Sequence, residues 1–279
     1  MKDQICIVGE SGGMLNAYGS GFLYGASLTP EMFSAGIGVS SSAMMLAFFF
    51  SGRTEAMREM WTNVLTSREI FSWLNTLKIG RPVDIDRLIQ VSSDRMDLGL
   101  VMENTNEFLV EVYNATKMVA EYHQLHDGFS HDLLKATCAL PLFSRPIRIG
   151  DEVLIDGGTY DPLPVKMAYE RGYRKILVVH NKPRGYVYPY FSSLKQMMLF
   201  PNLPNARQEL NLRIRRHQEN LWFLRHPPQD CKVYEIFPSR VMCEILERNS
   251  DVMKQVYESG FDHGVKESKK ITDWIYNDF

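Results

Sequence analysis

Short, wholly apolar segments alternating with helical ones predict an α/β protein, a mostly parallel sheet covered by helices on both faces. Three observations carry that expectation. "ICIVG" (5–9), "MFSAGIGV" (32–39) and "KILVVHN" (175–181) are nearly continuous apolar runs, the pattern of strands buried on both sides. Helical patterns lie between them, as the crossovers of a parallel sheet require. Glycine-bearing turns follow strands, and ligands of such sheets gather at the carboxyl ends of strands.

In chain order, "ICIVG" is a buried strand and "ESGGM" (10–14) a loop. "NAYGSGFLYGASL" (16–28) reads as a helix interrupted by small residues, and "MFSAGIGV" as the second strand. "SAMMLAFFFSG" (42–52) is a helix closed by Gly52, and "RTEAMREMWTNVL" (53–65) an amphipathic helix. Residues 68–99 are mixed, with a short helix at "VDIDRLIQVSS" (83–93). "FLVEVYNAT" (108–116) alternates as a strand does, and "SHDLLKATCAL" (130–140) is a helix with Ser130 as its cap. "EVLIDGG" (152–158) is a strand ending in a tight turn, and "DPLPVKMAYERG" (161–172) a short helix ended by Gly172. After "KILVVHN", residues 182–204 are rich in Pro, Tyr, Phe and Met. "ARQELNLRIRRHQENLWFLRH" (206–226) is one long helix, "CKVYEIFP" (231–238) a late strand, and two helical segments around "ESGFDHG" (258–264) finish the chain.

Composition narrows the function. A chain of 279 residues, 45% hydrophobic, can bury a large core. Its 31 basic and 33 acidic residues give a net charge of -2, which argues against nucleic acid as the main partner. Cys6, Cys138, Cys231 and Cys243 have no CxxC or zinc spacing and read as free thiols in a reducing compartment. The first apolar run is too short for a signal-peptide core, and the longest, "AMMLAFFF", is far short of a membrane span. A cytoplasmic protein is expected.

The chemistry centres on "GIGVSSSAMM" (36–45). A serine on a sharp strand-to-helix turn is held clear of the sheet, with helix N–H groups aimed at it. The turn needs small neighbours, as in G-x-S-x-G; here Gly38-Val39-Ser40-Ser41-Ser42 puts Ser40 at the serine position and Ser42 at the second glycine. The other reading is that Ser40 to Ser42 simply cap the following helix. A nucleophilic serine also needs a base and an oxyanion site. Gly12 and Gly13 of "ESGGM" allow close approach of backbone N–H groups, or form an ordinary tight turn. Asp156 stands at a strand end with Gly157 and Gly158 clearing space beside it, or is a turn residue of a common kind.

Taken together, and in this order, the motifs resemble the patatin-like phospholipase family. "ESGGMLNAYGSG" (10–21) is similar to its glycine-rich oxyanion loop and following helix, and "GVSSSA" to its elbow. The segment from "LLKATCALP" through "LIDGGTYDPLPV" is similar to its A-S-x-A-x-P turn, D-G-G motif and next small helix. "GRPVDIDRLI" and "YESGFDHG" resemble a bacterial subgroup of patatin-like esterases. The resemblance implies a three-layer α/β/α patatin-like fold spanning 1–279, with 182–230 a candidate helical cap and 239–279 forming C-terminal helices. It implies a Ser–Asp dyad, Ser40 as nucleophile and Asp156 as its partner, with Gly12 and Gly13 holding the oxyanion. The implied reaction is hydrolysis of carboxylic esters of acyl lipids through an acyl-enzyme, with no metal or other cofactor. Ser11, Leu15 and Asn16 depart from the family's loop, as Ser42 does from its elbow. Asn16 tolerates a left-handed backbone and is expected to keep the loop's shape. These departures leave a binding module on the same scaffold as the alternative.

Two other enzyme classes fit less well. A Ser-His-Asp α/β-hydrolase needs several strands before its elbow, and only 39 residues precede Ser40; its histidine would be His180, His226 or His263. Gly9, Gly12 and Gly13 do not make GxGxxG. Met44, Met45 and Leu46 either line an acyl channel or pack in the core. The aromatic, Met-rich segment 186–204 either caps the site and touches lipid or packs on the core. Arg213, Arg215 and Arg216 either meet anionic headgroups or form a solvated helix face.

Overall fold

The computed structural model describes residues 4–125, 130–201 and 203–277. Its strands are β1 (Ile5–Gly9), β2 (Ala35–Val39), β3 (Glu107–Asn114), β4 (Val119–Gln124), β5 (Ile147–Ile149), β6 (Glu152–Asp156), β7 (Lys175–Val179) and β8 (Lys232–Ile236). The helices are α1 (Asn16–Gly25), α2 (Ser41–Phe50), α3 (Thr54–Glu59), α4 (Asn75–Ile79), α5 (Ile85–Ser93), α6 (Leu98–Asn104), α7 (Ser130–Thr137), α8 (Val165–Glu170), α9 (Ser193–Leu199), α10 (Glu209–Arg225) and α11 (Ser250–Tyr276). Ser130, expected as the cap of α7, is the first residue of that helix, and the residue before it lies outside the described residues.

Strands β3-β2-β1-β7-β8 form a parallel core in that order, and β4, β5 and β6 add antiparallel pairs at one side. Alternation along β1 divides the buried residues between two layers. Ile5 and Ile7 pack with α1, α2 and α11, while Cys6 and Val8 pack with α8 and α10. Helices therefore cover both faces, and the layers are α/β/α. Among the described residues no helix is long and apolar enough to cross a membrane.

The registers around β3 position the site. β2 pairs with residues 107–111 of β3, β6 with residues 112–114, and β4 with 109–114. Because β4 overlaps both of the others, β2 and β6 share the opposite edge, end to end. They run in opposite directions, so their carboxyl ends meet: Val39 pairs with Glu111 and Asp156 with Val112.

Two expectations need correction. Residues 16–25 are one unbroken helix, and the end of the chain is the single helix α11 rather than two segments. The glycines read as interruptions are contact points. A Cβ on Gly21 or Gly25 would lie 2.0 or 2.1 Å from the carbonyl oxygens of Tyr257 and Phe261, and on Gly260 or Gly264 2.0 or 2.4 Å from those of Tyr18 and Phe22. Only glycine lets the two backbones approach so closely. Gly52 and Gly172 do end helices as expected, each with positive φ.

Candidate active site

The three serines of the elbow divide their tasks. Ser40 has φ 57 and ψ -135, a strained backbone for a residue with a side chain. Its N–H donates to Thr137 Oγ1 at 2.7 Å, and that hydroxyl donates to the Glu111 carbonyl at 2.7 Å, so β3 and α7 brace the turn. Its own hydroxyl makes no capping bond to α2. It donates to Asp156 Oδ2 at 2.7 Å. Ser41 Oγ accepts from Asn16 Nδ2 at 2.7 Å. Ser42 Oγ lies 2.9 Å from the Gly9 carbonyl oxygen and 2.8 Å from that of Val39, tying the elbow to β1. Gly38 is required by the helix that follows: a Cβ there would come 2.5 Å from Ala43 Cα.

Asp156 is both a turn residue and a partner of Ser40. Its Oδ1 accepts the Gly158 N–H at 2.8 Å, leaving Oδ2 for the serine. Gly157 clears the Glu111 carbonyl, 2.7 Å from where its Cβ would stand, and Gly158 clears Ser11 Oγ at 2.6 Å. Burial raises the Asp156 carboxyl to about 6, against the hydrogen bonds from Ser40 and Gly158 and the nearby charge of Arg213.

The loop after β1 is held by residues far away in sequence. Gly12 faces Asn181, whose Nδ2 would be 2.4 Å from an added Cβ. Gly13 has φ 56, and its Cβ would strike the Ile245 carbonyl at 2.3 Å. The N–H of Met14 donates to that same Ile245 oxygen, and the N–H of Leu15 to Gly12. No hydrogen bond among the described residues uses the N–H groups of Gly12 and Gly13. Asn16 does not take the left-handed conformation expected of it: φ is -70, at the start of α1. It supports the loop through its amide instead, donating to the Glu10 carbonyl and to Ser41. Leu15 is buried, and the positive charge beside the loop comes from Lys182. Its Nζ reaches Glu10 Oε1, the Ser11 carbonyl and Asn181 Oδ1 at 3.0, 2.6 and 2.7 Å. Burial works against the charge of Glu10, yet Lys182, His180 and His217 hold its carboxyl well below the usual range.

Ser40, Asp156, Gly12 and Gly13 line one cavity of about 330 Å³, walled mainly by apolar side chains such as Met44, Phe48, Trp61, Phe71 and Phe200. Of the three residues read as channel or core, Met44 lines it, while Met45 and Leu46 lie in the core. In the segment 186–204, Tyr186, Tyr188 and Phe191 line the cavity while Val187, Tyr190 and Met198 are exposed. The described lining holds no histidine. His180 lies between Glu10 and Glu235, His226 stacks on Trp222, and His263 meets the Tyr18 hydroxyl. Among the described residues no group of three or more His, Cys, Asp or Glu is placed to hold a metal ion.

Thr137, Ile245 and Arg213 are the site residues that sequence reading missed or left unassigned. Thr137 lies in a segment already singled out, four residues before Pro141. Ile245 gives no signal, because it acts through its backbone. Arg213 was one of three arginines, with nothing in the sequence to tell them apart.

A serine on a strained strand–helix elbow is thus hydrogen-bonded to an aspartate in an apolar cavity, on a three-layer α/β/α frame. The chain belongs to the patatin-like phospholipase family, whose model matches residues 7–169. A second model, a domain of unknown function designated DUF6363, matches residues 203–276. Among curated proteins, the chain is 23% identical over 269 residues to the uncharacterized protein YjjU of Escherichia coli K12, covering 92% of this chain and 75% of that one. Among solved structures it is similar to VipD from Legionella pneumophila, with a TM-score of 0.47 and 11% identity over 96% of this chain and 67% of that one.

Proposed function

We propose that the protein hydrolyses carboxylic esters of acyl lipids through a Ser40–Asp156 dyad and an acyl-enzyme. The observation that carries the reading is the 2.7 Å hydrogen bond from the Ser40 hydroxyl to Asp156 at an apolar cavity. The serine oxygen attacks the ester carbonyl carbon while Asp156 takes its proton. The oxyanion that forms is held by the N–H groups of Gly12 and Gly13. Collapse breaks the ester C–O bond, and the leaving alkoxide takes the proton from Asp156. Water then attacks the acyl-serine, gives its proton to Asp156, and the carboxylic acid departs as Ser40 regains that proton. A carboxyl raised to about 6 suits this exchange near neutral pH.

In this reading residues 182–230 cap the cavity, and the exposed apolar side chains of 187–198 meet a lipid surface. The four free thiols agree with a reducing, cytoplasmic setting. The test is a fluorophosphonate probe followed by peptide mapping and an ester assay. Adduct at Ser40, with turnover abolished by Ser40→Ala, is expected. Adduct at another serine overturns the dyad. Lipid binding without labelling or turnover favours a binding module on the same frame.

A further inference from the structure

Arg213 stands on the inward stripe of α10, with Leu210 on one side and His217 and Asn220 on the other. Its polar neighbours on that stripe each have a partner, although His217 Nδ1 is buried without one. Asn220 donates to both oxygens of Asp161 at 2.8 and 3.0 Å, and His217 Nε2 lies 3.5 Å from Glu10 Oε1. The other two arginines of the group are matched as well. Arg216 bonds Glu209 at 2.6 Å and the Tyr160 carbonyl, and Arg215 bonds Glu219 at 2.8 Å. Of these three arginines, only Arg213 has neither a hydrogen bond nor an ion pair to a described residue, and its Nε is buried without a partner.

Its surroundings are the ring faces of Tyr188 and Phe191, at 4.8 and 5.6 Å, and the field of Asp156. It lines the same cavity as Ser40. Burial lowers its pKa, but a guanidinium starts so high that it stays charged. Of the other charged groups lining the cavity, besides Asp156, Lys182 and Glu247 have hydrogen-bond partners, and Arg248 is exposed to solvent. Lys182 is bound to Glu10, Ser11 and Asn181, Glu247 accepts the N–H groups of Arg248 and Asn249, and Arg248 lies over the Phe71 ring.

A half-buried cation with five donors and no acceptor is costly unless a ligand supplies the acceptors. We infer that Arg213 binds the phosphate of an acyl lipid, so that the cavity takes phosphodiester-bearing lipids in preference to neutral ones. The apolar walls take the acyl chain, and the planar fork of the guanidinium matches phosphate oxygens two at a time. The assignment rests on the proposed reaction only for where the ester sits. Recognition of the phosphate is separate from turnover.

The experiment therefore reads binding in the Ser40→Ala protein. The probes are a lysophosphatidylglycerol, the monoacylglycerol of the same chain and the corresponding fatty acid. The lysophospholipid is expected to bind about 10–100-fold tighter than the monoacylglycerol. Adding Arg213→Gln should abolish that preference, and Arg213→Lys should keep part of it. Equal affinity for the two lipids, or a preference that survives Arg213→Gln, overturns the assignment. Arg213-dependent binding of the fatty acid but not of the lysophospholipid also overturns it, in favour of a carboxylate site. Should the glutamine variant fail to fold, inorganic phosphate at constant ionic strength must compete with the lysophospholipid; absence of competition is equally decisive. Failure of the hydrolase reading shows differently, as absent turnover in the unmodified protein with this binding intact.

Discussion

The two matched regions of the chain contribute different things to one cavity. Residues 7–169 carry Ser40, Asp156, Gly12 and Gly13, each at the end of a strand of the sheet. The region 203–276 brings no member of the proposed dyad, yet it supplies Arg213, the Ile245 carbonyl that fixes Gly13, and the helix clamped to α1. Groups that must sit within tenths of an ångström come from strand ends, where a ladder of hydrogen bonds sets position. Groups that shape the cavity come from helices and loops laid over that frame. In the proposed reading, reaction and selection are encoded in separate stretches, and substitutions in each should fail in different ways.

The largest effect is expected from Asp156→Asn. If the first region alone carries the reaction, this change lowers ester turnover about 10³–10⁴-fold, measured as kcat/KM. Turnover within tenfold of the unmodified protein would break the division, because another group would then be accepting the proton. Gly260→Val tests the second region. Its side chain must push against the Tyr18 carbonyl, 2.0 Å from the added Cβ, and should cost about 3 kcal/mol in a urea titration. An unchanged midpoint would mean that α11 is not clamped to α1. Gly13→Ala probes the junction of the two regions. With φ 56 and the Ile245 oxygen in the way, the loop must shift, and turnover should fall about 100-fold with little change in KM.

The mildest prediction concerns pH. Turnover should rise with an apparent pKa of about 6, as Asp156 becomes able to accept a proton. The same group should affect stability with the opposite sign. Its pKa is raised on folding, so the native state holds the proton more tightly than the unfolded chain does. Its stabilising contribution is full below about pH 4 and is lost as pH rises through about 6. Asp156→Asn should therefore be up to about 3 kcal/mol more stable than the unmodified protein at pH 8, while being inactive. A lower stability at pH 8 would show that burial does not strain this carboxylate.

What the sequence disclosed follows the same division. β1, β2 and β7 are buried on both faces, and a strand covered on both sides is mostly apolar, which leaves a nearly unbroken run in the letters, with Lys175 at the start of β7 the exception. Ser40 and Asp156 are flanked by small residues forced by backbone contacts at 2.5 to 2.7 Å, so the constraint appears in the letters themselves. β4 and β5 went unseen because one is a half-exposed edge and the other has three residues. α11 reads as two segments in the sequence because a glycine that ends a helix and one that admits a neighbour look alike in one dimension. Arg213 could not be separated from Arg215 and Arg216, since only packing decides which of them lacks a carboxylate.

The glycine contact has a consequence for how such a protein can be rearranged. α1 and α11 meet backbone to backbone, and each is notched for the other at two places. A terminal stretch seated that way is no interchangeable part. Grafting it onto another catalytic half, or trimming it away, would bare two grooved surfaces that no ordinary side chain can fill. Any exchange of this stretch between related chains must carry both sets of notches together.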